Sequence, residues 1–189
     1  MSGNFNPGKE SKTDADEKNF WATQWHCFHD GERLYGRRFA HDVAAMQHTA
    51  KVPGAYYGPD HECEHYRDAL GLWWPDHWWC NPPFDRKVEF IKKAREQQAE
   101  GRPGMMLIPY EPCSGWWQDL LAEDVIIYEP RGRYNFYAPD GETPKSGVNF
   151  PIAFVASPTM KIGPSVRVQF RKSPAPRLPR KKKEKKVDA

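Results

Sequence analysis

The tetrapeptide Asn81-Pro82-Pro83-Phe84 combines residue types that could do chemistry. The Asn side-chain oxygen and a neighbouring backbone carbonyl are two hydrogen-bond acceptors, and the prolines hold that carbonyl rigidly with no N–H group competing nearby. Two acceptors that bind both N–H bonds of a planar amino group favour a tetrahedral nitrogen, which frees its lone pair for attack. An aromatic side chain beside them can stack on the ring that carries the amine. The tetrapeptide therefore predicts a site that activates an exocyclic amine.

The elements on either side of this motif predict where it lies. The aromatic run 77–80 reads as a short buried strand, and Asp85 is predicted to cap a helix over 86–100, whose apolar residues recur at spacings of three and four. Two prolines do not fit inside a central strand. Between a strand and a helix of an open α/β sheet they lie at the carboxyl edge, where ligands bind. Taken alone, the motif is also compatible with a rigid turn that has no catalytic role.

The remaining signals alternate between helices and strands. Helices are predicted over 24–34, ended by Gly36, and over 114–122. Short apolar runs predict strands at 38–43, 105–108, 125–128, 134–137, 152–155 and 166–170. This order predicts one α/β domain over 19–170, built as a sandwich with a mostly parallel sheet and antiparallel strands near its C-terminal edge.

Composition and charge exclude several classes of protein. The 189 residues suffice for one domain, and a mean hydropathy of −0.86 with no long apolar stretch excludes a multi-span membrane protein. Residues 1–18 are polar and are predicted to be a disordered leader without a signal-peptide core. We therefore expect a cytoplasmic protein with four free cysteine thiols. A bacterial host cytoplasm is expected if the chain is phage-encoded.

The C-terminal segment 171–189 differs in charge from the rest of the chain. It contains nine basic and two acidic residues, so its net charge of +7 leaves −4 for the other residues. Prolines precede a lysine run that includes Lys181, Lys182 and Lys183. Such a segment is typical of a disordered, solvated arm, and the functional interpretation is a contact with nucleic acid.

Seven segments, taken in order, resemble the phage-encoded DNA N-6-adenine methyltransferases. The Asn-Pro-Pro-Phe motif is similar to the family's catalytic motif. Residues 21–24 resemble its Trp-x-Thr-Pro segment and 39–45 its first cofactor motif, a strand ending in Leu-Asp. The other similar segments are 63–66 with 68–70 and 73–74, 107–109 with 116–117, 132–136 and 150–151. Departures from the family pattern are Gln24 for Pro, His41 for an apolar residue, Ala69 for Gly and Ile152 for Ser.

The resemblance implies a Rossmann-like enzyme that uses S-adenosyl-L-methionine to methylate the amino group of a flipped adenine in double-stranded DNA. It implies that Asn81, Pro82, Pro83 and Phe84 form the catalytic motif, with Asn81 and Pro82 polarising the amine and Phe84 stacking on the base. It also implies four cofactor-binding residues, namely Trp21, Thr23, Asp42 and Asp68. Which of the two carboxylates binds which part of the cofactor stays open.

Other features leave alternatives. Arg131, Arg133 and Lys145 flank a predicted loop over 138–147, where they either contact DNA or are solvated charges. His and Cys residues between 26 and 65 lack a zinc-binding spacing, so no metal is expected. Rival substrates are a cytosine amino group, RNA and a protein glutamine. A rival from another class is a non-catalytic DNA-binding protein that keeps the fold. The oligomeric state is not predicted.

Overall fold

The computed structural model describes residues 15–145, 148 and 150–175. The helices are α1 (Ala15–Lys18), α2 (Trp25–Tyr35), α3 (Lys87–Ala99) and α4 (Gly115–Leu120), with a 3-10 helix at Glu64–Tyr66. The strands are β1 (Ala22–Thr23), β2 (His41–Asp42), β3 (Trp78–Cys80), β4 (Gly104–Pro109), β5 (Ile126–Arg131), β6 (Phe136–Tyr137), β7 (Ile152–Ser157) and β8 (Val166–Arg171). The last four residues of the predicted leader thus form α1, whereas 1–14 and the lysine run lie outside the described residues.

The central sheet has six strands in the order β2-β3-β4-β7-β5-β8, and β1 pairs with β6 in a separate small ribbon. Strand β7 runs antiparallel to both of its neighbours, β4 and β5, and the other three pairings are parallel. Five strands therefore run in one direction and bring their carboxyl ends to the same edge. This confirms a mixed α/β fold with a mostly parallel sheet.

The structure corrects one prediction about the sheet. Antiparallel strands were expected near its C-terminal edge, but the antiparallel strand β7 lies inside the sheet. Every residue of β7 is buried, and a strand buried on both faces needs neighbours and covering elements on all sides. The edge position is taken instead by β8, which is exposed along most of its length and pairs in parallel with β5. The apolar residues at 152–156 are consistent with this burial.

Both faces of the sheet are covered, which makes the domain three layers thick. On β3, Trp78 packs into the core beneath α3 and α4, whereas Trp79 packs into the core beneath α2. Both indoles and that of Trp74 are fully buried, while Trp73 is exposed. Gly104 of β4 is required, because a Cβ there would lie 2.0 Å from Trp78 Cδ2. The short strand before the Asn-Pro-Pro-Phe motif is thereby fixed from both sides.

The helix ends test two predictions. Helix α2 ends at Gly36, whose φ of +84° is the left-handed conformation that glycine adopts readily, as predicted. The prediction that Asp85 caps α3 was wrong. The helix begins at Lys87 with Arg86 in the N-cap position and no side-chain cap. The Asp85 N–H donates instead to the side chain of Asn19, which keeps Asp85 in the preceding loop.

The four cysteines have free thiols, as predicted, with Cys27 and Cys80 buried and Cys63 and Cys113 exposed. Within the described residues, no helix is long and apolar enough to cross a membrane.

Candidate functional site

A cleft with a cavity volume of about 190 Å³ opens at the carboxyl edge of β2 and β3. Its walls come from the segment around β1, from the loop after β2, from the loop after the 3-10 helix and from the loop after β3. Six of the eight predicted catalytic and cofactor residues line it: Trp21, Thr23, Asp42, Asp68, Asn81 and Pro83. Residues that lie up to about 60 positions apart in the sequence therefore meet in one place. The parallel strands β2 and β3 position Asp42 and Asn81, and the separate ribbon of β1 and β6 positions Trp21 and Thr23.

Two hydrogen bonds hold the Asn-Pro-Pro-Phe loop against the segment that leads into β1. The Asn81 side-chain Nδ2 donates to the Trp21 carbonyl oxygen over 3.2 Å. The Asp85 backbone N–H donates to Asn19 Oδ1 over 3.1 Å. Because the Asn81 amide nitrogen is used in this way, Oδ1 is the atom that remains to accept a hydrogen bond in the cleft.

The two prolines use their carbonyl groups differently. The Pro83 carbonyl accepts the Arg86 N–H over 3.2 Å, which starts the turn into α3. Within the described part of the chain, no hydrogen bond engages the Pro82 carbonyl. Pro82 is buried, and it is not among the residues that line the cleft. The Pro82 carbonyl therefore has no partner among these bonds, and its role as an acceptor for an amine stays a prediction.

Phe84 lies in an aromatic cluster beside the cleft rather than in its lining. Its half-buried ring packs edge-on against Phe150 at 5.1 Å between ring centroids, Trp21 at 6.2 Å and Phe136 at 6.4 Å. Trp21 and Phe150 stack on each other in the same cluster. The ring therefore supports the cleft wall that Trp21 forms, and stacking of Phe84 on a ligand stays a prediction.

Asp42 is the last residue of β2 and is a buried carboxylate. Its Oδ2 accepts the Lys51 backbone N–H over 2.8 Å, and its Oδ1 accepts that of Ala44 over 3.4 Å. Burial raises the pKa of the Asp42 carboxyl to about 6, although the two N–H groups and the charge of Lys51 oppose this. A cationic ligand group in the cleft would stabilise the ionised form.

Asp68 differs from Asp42 in its surroundings. It is exposed, and its Oδ1 accepts the Leu70 N–H over 3.2 Å in the loop after the 3-10 helix. This carboxylate therefore lies on the solvated rim of the cleft, where its charge is screened more strongly than that of Asp42.

Two polar atoms in the lining residues have no hydrogen-bond partner among the described residues. They are the Trp21 Nε1 and the Thr23 Oγ1, and both atoms are buried. An unsatisfied buried donor or acceptor costs about 1–3 kcal/mol, so such atoms are rare in folded proteins without a reason. Both residues line the cleft, so a ligand that reached these atoms would supply the missing partner.

Lys51 is a lining residue that the sequence reading missed. It lies in the loop after β2 with only 5% of its surface exposed. A lysine between Ala50 and Val52 in a loop gave no periodic or motif signal for burial. Lys51 belongs to the site because the loop after β2 folds back onto Asp42, where the Lys51 N–H donates to the carboxylate.

The residues predicted to contact DNA are spread over different surroundings. Arg131 and Arg133 are exposed, and Arg131 ends β5 and borders a second cavity of about 270 Å³ together with Tyr110 and Glu129. Lys145 forms an ion pair with Glu17. Lys181, Lys182 and Lys183 lie outside the described residues. In the parts of the chain that the structure describes, no cluster of His, Cys, Asp or Glu side chains is placed to hold a metal ion.

The fold and the site together define a class: a mixed α/β protein whose ligand cleft is bordered by the Asn-Pro-Pro-Phe loop at the carboxyl edge of its sheet. A family model described as DNA N-6-adenine-methyltransferase (Dam) matches residues 10–171. The chain therefore belongs to the DNA N-6-adenine-methyltransferase family, which makes it a methyltransferase enzyme.

Two curated relatives agree with this assignment. The DNA N-6-adenine-methyltransferase of Haemophilus phage HP1 (strain HP1c1) is 26% identical over 67% of this chain and 71% of its own length. The DNA N-6-adenine-methyltransferase of Escherichia phage T1 is 29% identical over 64% of this chain and 49% of its own length. This chain thus matches about half of the second relative. No solved structure gave a significant match.

Proposed function

We propose that the protein transfers the methyl group of S-adenosyl-L-methionine to the exocyclic amino group of an adenine in double-stranded DNA. The observation that carries this proposal is the meeting of Asp42 and Asn81 in one cleft. The end of β2 offers a carboxylate for a cationic cofactor, and the loop after the adjacent strand β3 offers acceptors for an amine. In this proposal the domain is a Rossmann-like methyltransferase that acts in the cytoplasm of a bacterial host.

The cleft fits the proposed cofactor in its donor and acceptor groups. The unpartnered Trp21 Nε1 can donate to an acceptor of the ligand, and the unpartnered Thr23 Oγ1 can donate or accept. The Asp42 carboxylate suits the methionine ammonium or the ribose hydroxyls, and Asp68 adds a second carboxylate at the rim. When bound, the cofactor supplies an electrophilic methyl group on a sulfonium sulfur.

Asn81 and Pro82 are proposed to prepare the amine. Asn81 Oδ1 and the Pro82 carbonyl each accept one N–H bond of the adenine amino group, which lessens delocalisation of the nitrogen lone pair into the ring. Pro83 keeps this backbone rigid and directs its own carbonyl into the turn of α3. The hydrogen bond from Asn81 to Trp21 keeps the acceptor oriented before the substrate arrives.

The target base must leave the duplex to reach this cleft, because base pairing hides the adenine amino group. We propose that Phe84 stacks on the flipped base, which requires its ring to face the substrate from the edge of the aromatic cluster. An apolar cleft wall beside the ring would exclude water from the base.

Positive charge for the DNA backbone is proposed to come from the C-terminal segment and from Arg131 and Arg133. Strand β8 ends at Arg171, at the same edge of the sheet as Asp42 and Asn81. Ser173 is then anchored by hydrogen bonds of 2.7 Å from its N–H and its hydroxyl to Asp30. Lys181, Lys182 and Lys183 follow within ten residues of this anchor. A DNA contact by Lys145 requires its ion pair with Glu17 to open.

The proposal is tested by incubating the purified protein with cofactor that carries a deuterated methyl group and with duplex DNA. Nucleoside mass spectrometry then identifies the product. We expect labelled N6-methyladenine from DNA and none from RNA of the same sequence. Labelled N4-methylcytosine, or label in RNA alone, would contradict the proposed substrate. A protein that shows no thermal shift with S-adenosylhomocysteine would support the rival of a non-catalytic DNA-binding protein.

A further inference from the structure

Lys51 is a lining residue of the cleft that the roles described above do not use. The residue is 5% exposed and lines the cleft beside Asp42. Its backbone N–H donates to the Asp42 carboxylate. Its Nζ lies 4.5 Å from the centroid of the Trp25 ring and 5.8 Å from that of Tyr137. Backbone and rings therefore hold the side chain in a defined place.

Among the described residues, this buried cation has no counter-ion within hydrogen-bond distance. None of the ion pairs between described side chains includes Lys51. Burial lowers the pKa of the Lys51 ammonium, and the negative charge of Asp42 opposes this. An aromatic face compensates for only part of the lost hydration of an ammonium group. A buried charge is normally paired and hydrogen-bonded, so the site is incomplete without an anion.

We propose that Lys51 binds the carboxylate of the methionine portion of the cofactor, an inference that rests on the proposed function. The lining of the cleft then includes one buried anion, Asp42, and one buried cation, Lys51. That pattern complements an α-amino acid group, whose ammonium would lie at Asp42 and whose carboxylate would lie at Lys51.

A DNA phosphate is the other anion that the proposed function brings to this protein. It fits Lys51 less well, because a duplex phosphate stays in solvent at the protein surface and cannot follow a side chain that is 95% buried. The exposed Arg131 and Arg133 are better placed for that role. Lys51 is therefore assigned to the small ligand and not to the nucleic acid.

The test uses calorimetry with two ligands, S-adenosylhomocysteine and its decarboxylated analogue, which keeps the amine but lacks the carboxylate. The wild-type protein is expected to bind S-adenosylhomocysteine at least about tenfold more tightly, since a hydrogen bond to a buried charge is worth that much. In Lys51→Met this preference should disappear, because only the carboxylated ligand loses affinity. Lys161→Met removes an exposed lysine from the loop between β7 and β8 and should behave as wild type.

Several outcomes would overturn the inference. Equal wild-type affinity for the two ligands would do so without any variant, which covers the case in which Lys51→Met does not fold. An equal loss for both ligands in Lys51→Met would show a structural role only. Lys51→Arg keeps the charge and should keep the preference. A wild-type protein that binds neither ligand would overturn the proposed function together with this inference, whereas binding without a preference would overturn the inference alone.

Discussion

The side chain of Asn81 is hydrogen-bonded to the backbone of Trp21, with 3.2 Å between Nδ2 and the carbonyl oxygen. This bond joins the loop proposed to activate the substrate amine to the wall proposed to bind the cofactor. It also fixes which end of the Asn81 amide remains an acceptor. The orientation of the Asn81 oxygen is therefore set before any ligand binds.

Asn81→Ala is expected to lower turnover by roughly a hundredfold or more, which corresponds to about 3 kcal/mol for one acceptor that stabilises the transition state. The lost bond to Trp21 should lower the free energy of unfolding by only about 1 kcal/mol. Single-turnover methylation and chemical denaturation measure the two effects. Asn19→Ala is the matched control, because it removes the other tether of the loop without removing the acceptor. Near-normal methylation by Asn81→Ala would contradict its assignment.

Phe84→Ala is expected to weaken productive DNA binding by about 1–3 kcal/mol if the ring stacks on the flipped base. The same change should also lower the melting temperature, because the ring packs on Trp21 and Phe150. Phe84→Tyr keeps the ring and should stay active. DNA affinity is measured by fluorescence anisotropy below the melting temperature. Normal affinity in a folded but less stable Phe84→Ala protein would assign the ring to packing alone.

Cofactor affinity is expected to depend on pH through Asp42. Its pKa of about 6 means that the free protein carries a protonated Asp42 below that pH, and a cationic ligand must then displace the proton. Affinity for S-adenosylhomocysteine should fall by up to about tenfold per pH unit below pH 6. Asp42→Asn should bind weakly at all pH values and lack this dependence. Asp68→Asn should show a smaller loss, since Asp68 is exposed. Unchanged affinity in both variants would place the cofactor elsewhere.

The same carboxyl group has an effect on stability with a defined sign. Its pKa in the folded protein is raised above the ordinary 3.8, so the folded state binds the proton more tightly than the unfolded state. The Asp42 contribution to the free energy of unfolding should therefore decrease as pH rises from 3.8 to about 6. Subtracting the pH profile of Asp42→Asn from that of the wild type isolates this contribution. A difference that rises over this window would contradict the assigned pKa.

Removing residues 176–189 is expected to lower the affinity for all DNA sequences alike. This boundary keeps β8 and the bonds of Ser173 to Asp30 intact. The deleted segment contains seven basic residues, and each phosphate contact adds up to about 0.9 to the slope of log affinity against log salt. The slope should flatten by several units while turnover at saturating DNA stays nearly unchanged. A full-length variant with these seven residues replaced by Gln controls for length. Equal slopes for all three proteins would contradict the proposal that the C-terminal segment binds the DNA backbone.

Parts of the fold could be predicted because their signals are local. The aromatic run before Asn81 and the apolar run of β4 identified strands, and Gly36 identified the end of α2. The position of β7 between β4 and β5 could not be predicted, since strand order depends on long-range packing. The cap of α3 was mispredicted because the Asp85 backbone N–H donates to the side-chain oxygen of a distant residue, Asn19, which keeps Asp85 in the loop before the helix.

The candidate site could also be predicted only in part from the sequence. The order of the segments that resemble the family identified Asp42 and Asn81 as site residues, and the sheet places both in one cleft. Lys51 had no motif, and its burial results from a loop that folds back onto the Asp42 carboxylate. Phe84 could be recognised by type, but its packing partners Trp21 and Phe150 each lie more than 60 residues away in the sequence.

The most direct test of the central claim is methylome sequencing of DNA from a bacterial strain that lacks its own adenine methylation. The strain expresses either the wild-type protein or Asn81→Ala at equal, folded levels. The account predicts N6-methyladenine in the DNA of cells with the wild-type protein and almost none with Asn81→Ala. Wild-type cells without N6-methyladenine, or equal methylation by the two proteins, would contradict it.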